Sequence, residues 1–108
     1  MSTRPISVTG SNTSTGELDL DFPNLEAFSG DTILWKIHPK SGVDTIEVIR
    51  EKTGSTDIWS TRPQNGNRWK GIIKDGVPEN YEYNYEIAWK KDGQQYLFDP
   101  KISVNPSL

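Results

Sequence analysis

From Tyr81 to Phe98 the chain reads YEYNYEIAWKKDGQQYLF. Tyr81, Tyr83, Tyr85, Ile87 and Trp89 take every second position, and Glu82, Asn84, Glu86, Ala88 and Lys90 fill the gaps. A period of two puts one row of side chains on a core and the other toward water, as a half-buried strand does. The constraint reaches beyond this one strand. Asp92-Gly93 is a two-residue turn signal, because both central positions of a type I′ turn need positive φ. With that turn, Lys91 faces Gln94, Trp89 faces Tyr96 and Ile87 faces Phe98. Both apolar pairs then share a face with Tyr83 and Tyr85, so turn chemistry and hydrophobic pattern specify the same register. One step further would oppose Glu86 to Asp99, a like-charge pair, and Pro100 cannot donate to a ladder. The expectation is a bulge or strand switch at Asp99-Pro100, with Ile102 and Val104 resuming as a terminal strand.

The remaining segments read the same way. Ile6 to Thr9 is short and β-branched and predicts an edge strand. Gly10 to Gly16 is a polar loop. Glu17 to Phe22 alternates acids with Leu18, Leu20 and Phe22. Pro23 to Gly30 reads as a helical turn with Leu25, Ala27 and Phe28 as plugs. Asp31 to His38 is a strand with Ile33, Trp35 and Ile37 inward, while Leu34 points to partial cover on its other face. Thr45 to Arg50 follows with Ile46 and Val48 inward. Ile58 to Arg62 and Arg68 to Lys74 form a hairpin around Asn65-Gly66. Asp75 to Asn80 is a loop. Seven or eight short strands and no convincing helix predict an all-β fold, an antiparallel Greek-key sandwich. With 108 residues the natural arrangement is one domain spanning 1–108, two layers around one core. Only 32% of residues are hydrophobic, so four Trp, four Tyr and three Phe must supply much of that core.

Composition removes several chemistries. There is no Cys, so disulfides, thiolate metal sites and Cys nucleophiles are excluded. No apolar run approaches the roughly 20 residues of a membrane helix, and MSTRPISVTG lacks the apolar centre of a signal peptide. These point to a cytoplasmic protein without a membrane partner. A net charge of −3 argues against general nucleic-acid affinity. The charge is uneven: residues 1–31 carry Glu17, Asp19, Asp21, Glu26 and Asp31 against Arg4 alone. A mixed, solvated surface explains this, and the sharper alternative is a docking face for a basic partner along Glu17 to Asp21.

FSGDTILW (Phe28 to Trp35) resembles the strand entry of cupredoxins, where Gly-Asp precedes an apolar strand ending in Trp. YEYNYEI (Tyr81 to Ile87) resembles the tyrosine-rich strand leading to the copper cysteine of that family, and the two segments come in the family's order. Immunoglobulin-like and fibronectin-like domains share a Tyr-x-Tyr strand near the C-terminus, so what the resemblance implies is the sandwich. The copper chemistry does not follow. A blue-copper site needs a thiolate, two imidazoles and usually an axial Met, whereas Ile87 stands about where the cysteine would be, and the only His and Met are His38 and Met1. No metal or other cofactor is expected.

His38 ends a strand ahead of Pro39, and one imidazole without a second His or Cys makes no typical metal constellation. No G-x-S-x-G, P-loop or G-x-G-x-x-G accompanies it. Glu17, Asp19 and Asp21 share a strand face about 6.6 to 7 Å apart. That is too far for a shared proton, although other strands could complete an oxygen cage for Ca²⁺. An acidic row that blocks edge pairing is the plainer account. The most concrete binding candidates are Trp59 and Trp69, which flank a loop rich in Arg62, Gln64, Asn65, Asn67 and Arg68. Exposed indoles beside amides and guanidinium groups suit sugars or peptides, while buried ones would merely close the core. With a strict two-residue turn the two rings point to opposite faces, and an odd-length loop would bring them to one. The resulting expectation is a non-enzymatic binding or accessory module with a protein or glycan partner. A carbohydrate-binding module using Trp59 and Trp69 is the alternative, and a small hydrolase built on His38 or two carboxylates is the third.

Overall fold

The computed structural model describes residues 2–65 and 68–105. Its strands are β1 (Thr3–Ser11), β2 (Leu18–Leu20), β3 (Asn24–Phe28), β4 (Thr32–Ile37) and β5 (Thr45–Glu51), then β6 (Trp59–Asn65), β7 (Trp69–Ile73), β8 (Tyr81–Lys91), β9 (Gln94–Phe98) and β10 (Lys101–Asn105). They form two sheets. The first runs β2-β1-β4-β7-β6, and the second runs β3-β10-β8-β5 with β9 also on β8. There is no helix among the described residues. The all-β sandwich is therefore as expected, with more strands than expected and with two parallel pairings, β1 with β4 and β3 with β10.

The closing hairpin has the register set by its turn: Lys91 opposite Gln94, Trp89 opposite Tyr96, Ile87 opposite Phe98. Asp92 and Gly93 take φ of 51° and 80°, the left-handed conformations that a type I′ turn demands. The strand switch also falls where charge and proline put it. β9 ends at Phe98, the Tyr85 N–H donates to the Pro100 carbonyl at 3.2 Å, and β10 then pairs with the first half of β8, Lys101 opposite Asn84. Glu86 and Asp99 are thereby spared each other and bind Arg50 and Lys52 instead, at 3.8 and 3.2 Å.

Four expectations are corrected. β1 is nine residues long and lies inside its sheet between β2 and β4. Its first half pairs in parallel with β4, a partner too distant in sequence for a local pattern to show. Pro23 to Gly30 holds a strand and no helical turn. Leu25 and Ala27 alternate with exposed Asn24 and Glu26 and pack inward, while the backbone pairs with β10. Val48 is only half-buried, because a bulge between Ile46 and Val48 passes the next inward position to Ile49. Phe22 and Ile37 are 48% and 37% exposed, since β2 stops at Leu20 and β4 at Ile37, the last position of its alternation.

The core lies between the two sheets. Tyr83, Tyr85, Ile87 and Trp89 of β8 are fully buried, as are Ile33 and, almost completely, Trp35 of β4. Four rings form its centre: Trp35 lies 6.0 Å from Trp59 and 5.9 Å from Tyr85, and Tyr83 lies 5.5 Å from Trp59 and 5.6 Å from Tyr85. Burying an indole or phenol leaves a polar atom to satisfy. Trp59 Nε1 donates to Tyr83 Oη at 2.8 Å, Trp35 Nε1 to Tyr85 Oη at 3.3 Å, and Trp89 Nε1 to the Gly16 carbonyl at 3.0 Å. Each of these bonds crosses between elements far apart in sequence, so the aromatic row ties the two sheets together as well as filling the gap.

Candidate functional site

The β6–β7 hairpin carries the residues that the sequence puts forward for binding. Asn65 pairs with Trp69, which makes the connection three residues long, 66–68. Asn67 and Gly66 lie outside the described residues. The register also slips between Trp59 and Thr61 and again between Thr61 and Gln64. These irregularities turn both indoles the same way, into the core, where Trp59 is 5% exposed and Trp69 9%. The proposed tryptophan platform is therefore corrected: neither ring offers an open face to a sugar. Trp59 lies over Gly71, where an added Cβ would sit 3.0 Å from the indole and 3.2 Å from Pro63 Cγ. Only a missing side chain allows that approach.

Arg62 is likewise engaged in structure. Its Nη2 donates to both oxygens of Glu51 at 2.6 and 2.8 Å, and its Nη1 lies 3.0 Å from Asp57. Burial works against its charge, but the bonded Glu51 carboxylate and the charge of Asp57 outweigh it and raise the pKa. Glu51 also accepts from Tyr83 Oη at 3.2 Å, so the chain Trp59–Tyr83–Glu51–Arg62 runs from the core to the surface. Burial pushes the Tyr83 phenol well above its ordinary value. The hydrogen bond from Trp59 opposes this, while the adjacent Glu51 carboxylate adds to it. Arg62 is therefore a strut.

Asn65 and Arg68 are exposed, and they line two adjoining concavities. One, of about 530 Å³, opens at the strand ends among Lys36, Ile37, His38, Asp44, Asn65 and Arg68, with Trp35 and Trp69 behind. The other, of about 450 Å³, lies on the outer face of the first sheet over Leu34 and Ile72, with Thr61, Gln64, Asn65, Arg68 and Lys70 around it. Strand register explains the grouping. Leu34 pairs with Lys70, which pairs on its far side with Gln64, and Trp35 pairs with Trp69. Lys36 follows Trp35 and Arg68 precedes Trp69, and both line the first concavity. Sequence reasoning missed Lys36 and Lys70. Their signal was the outward row of β4 and β7, which reads as ordinary solvated surface until the pairing is known.

Arg4, Arg50, Lys52, Arg62, Lys90 and Lys101 each contact a carboxylate. Among the described residues Lys36, Arg68 and Lys70 contact none, and neither do Lys40, Lys74 and Lys91; the first three are set apart by lining two adjoining concavities. Among the described residues Asp44 is the one acid on the walls of either concavity, and its Oδ2 accepts the Asp92 N–H at 2.8 Å.

His38 is exposed, and its Nδ1 accepts the Lys40 N–H at 3.1 Å. Among the described residues no nucleophile or orienting carboxylate is bonded to it. Asp21 accepts the Ser7 N–H at 2.7 Å, and among the described residues no three His, Asp or Glu side chains converge. The residues present do not fit a blue-copper centre: the chain has one His and no Cys, and Ile87 is sealed in the core. Asp31 is 2% exposed at the start of β4 and accepts from Arg4 Nε at 2.6 Å, Ser2 N at 2.9 Å and Phe28 N at 3.0 Å. Burial raises its pKa, yet these donors together hold it below the usual carboxylate range. It anchors the N-terminal strand.

No protein-family model and no curated protein matches the chain. Among solved structures it is similar to a pseudoazurin from Sinorhizobium meliloti, at 12% identity and a TM-score of 0.55 over 97% of this chain and 75% of that one. A pseudoazurin from Methylobacterium extorquens AM1 aligns at 13% identity and a TM-score of 0.48, over 95% and 75% of the two chains. The fold is cupredoxin-like.

Proposed function

We propose that this protein is a non-enzymatic binding module that takes its ligand on the joined concave surface around Asn65 and Arg68. The observation that carries this reading is that both concavities share these two exposed residues, beside cations that no carboxylate neutralises among the described residues. Concave surface with a few convergent polar groups is where ligands bind.

The test is a panel of glycans, anions and peptides presented to the wild-type chain and to the variant Asn65→Ala/Arg68→Ala. Both residues are exposed and outside the core, so the variant keeps its fold, which its amide spectrum verifies. The reading expects a ligand that the wild type retains and the variant loses, released chemically unchanged. Turnover of an ester or glycoside that disappears in His38→Ala would contradict it in favour of a hydrolase.

A further inference from the structure

The same surface favours one class of ligand. Its cations are placed against the interest of stability. Lys36 and Arg68 line one concavity, and Arg68 and Lys70 line the adjoining one. Like charges gathered in one hollow repel one another. The protein has fifteen Asp and Glu against twelve Lys and Arg, so acids to pair them are in surplus. Six cations elsewhere are so paired, and Lys40, Lys74 and Lys91, which contact no carboxylate among the described residues, line neither hollow. A net-negative molecule that keeps one hollow positive is arranged for an anion, whose arrival relieves the repulsion.

The rest of the surface narrows the choice. Gln64 and Asn65 supply amides and Thr61 a hydroxyl, groups that both donate and accept as sugar hydroxyls require. Leu34 and Ile72, both half-buried, make a shallow apolar floor. β6, whose Thr61, Gln64 and Asn65 line the second hollow, is the edge strand of its sheet, so an extended acidic peptide is the competing occupant and its binding is an outcome of the test. No open aromatic face is present for a nucleobase, since Trp35 and Trp69 are buried. Exposed apolar area is small for the centre of a protein–protein interface.

From this geometry we infer that the ligand is an acidic oligosaccharide. Its carboxylate or sulfate groups meet Lys36, Arg68 and Lys70, and its hydroxyls meet Gln64 and Asn65. This rests on the binding-module reading and assigns its ligand class.

The experiment follows backbone amides of the whole chain during titration with four probes. These are a galacturonate pentamer, its fully methyl-esterified and hence uncharged counterpart, a heparin-derived hexasaccharide, and a glutamate decamer. The expected result is movement of the Leu34, Lys36, Arg68 and Lys70 amides with the charged pentamer or the sulfated hexasaccharide, whichever supplies the better anion. Affinity should fall about tenfold or more for the ester and for Arg68→Gln/Lys70→Gln, as loss of charge-assisted bonds implies, and should weaken as salt rises. Equal binding of the ester would overturn the acidic class while leaving the binding surface. Tighter binding of the glutamate decamer would assign the surface to a protein partner and overturn the sugar. If no probe moves these amides, the acidic-oligosaccharide inference fails, while the binding-module reading stands or falls by the wider panel.

Discussion

Trp89 is wholly buried, stacks on Tyr96 at 4.6 Å and spends its indole proton on Gly16. Trp89→Ala should cost about 3 to 5 kcal/mol, the usual penalty for deleting a buried aromatic, as read from denaturant unfolding; a cost below about 1 kcal/mol on the same scale would show that the ring is not where it is placed. Gly71→Ala should lower stability by about 1 to 3 kcal/mol, because the new methyl meets the Trp59 ring and overpacks the core; an unchanged midpoint would contradict that contact. Asp31 carries the pH dependence. Its folded pKa lies below its ordinary value of 3.8. The unfolded chain therefore takes up the proton first, and the stabilisation is complete above the unfolded value and lost as pH falls through the folded one. Asp31→Asn should destabilise the protein near neutral pH and flatten its acid unfolding; an equally steep acid limb in the variant would place the effect elsewhere. The inward identity of Trp35 and Trp89 was legible because each sits in a strict alternation. That of Trp59 and Trp69 was not, because bulges that change which way a side chain points leave no mark in the local pattern.

At the scale of elements, the β8–β9 hairpin was readable almost completely, since its turn chemistry and its apolar pairs are both local and both specify one register. Gly93 adopts a φ of 80° at a position with nothing within 4 Å of an added Cβ. Gly93→Val should therefore act through backbone strain alone, a β-branched residue resisting positive φ. A loss of about 1 to 3 kcal/mol is expected for a residue forced into such a region, with chemical shift changes confined to residues near 91–94; shifts spreading through β10 would show that the turn does more than close the hairpin. β3 was misread as a helical turn because it is five residues between Pro23 and Gly30, and its strand character comes from β10, more than seventy positions away. The binding surface suffered the same fate. Arg68 and Asn65 were singled out from composition near a turn, while Lys36 and Lys70 join them only through strand pairing.

For the whole molecule, the two-layer architecture followed from strand count and the aromatic row, but the order of the strands did not. Parallel pairings such as β1 with β4 bring together segments whose partnership is decided by the closure of both sheets. The cupredoxin-like fold encloses a sealed aromatic core, and Lys36, Arg68 and Lys70 line two adjoining concavities of an acidic protein. The central claim is that the β8 rings lie between the sheets and bind both. It is tested most directly by side-chain nuclear Overhauser contacts of those rings. The account predicts contacts of Tyr83 with Trp59 and of Tyr85 with Trp35 across the sheets, and of Trp89 with Tyr96 within its own. Absence of the two cross-sheet contacts, with the tyrosine rings open to solvent paramagnetic probes, would contradict the fold and every inference drawn from its surface.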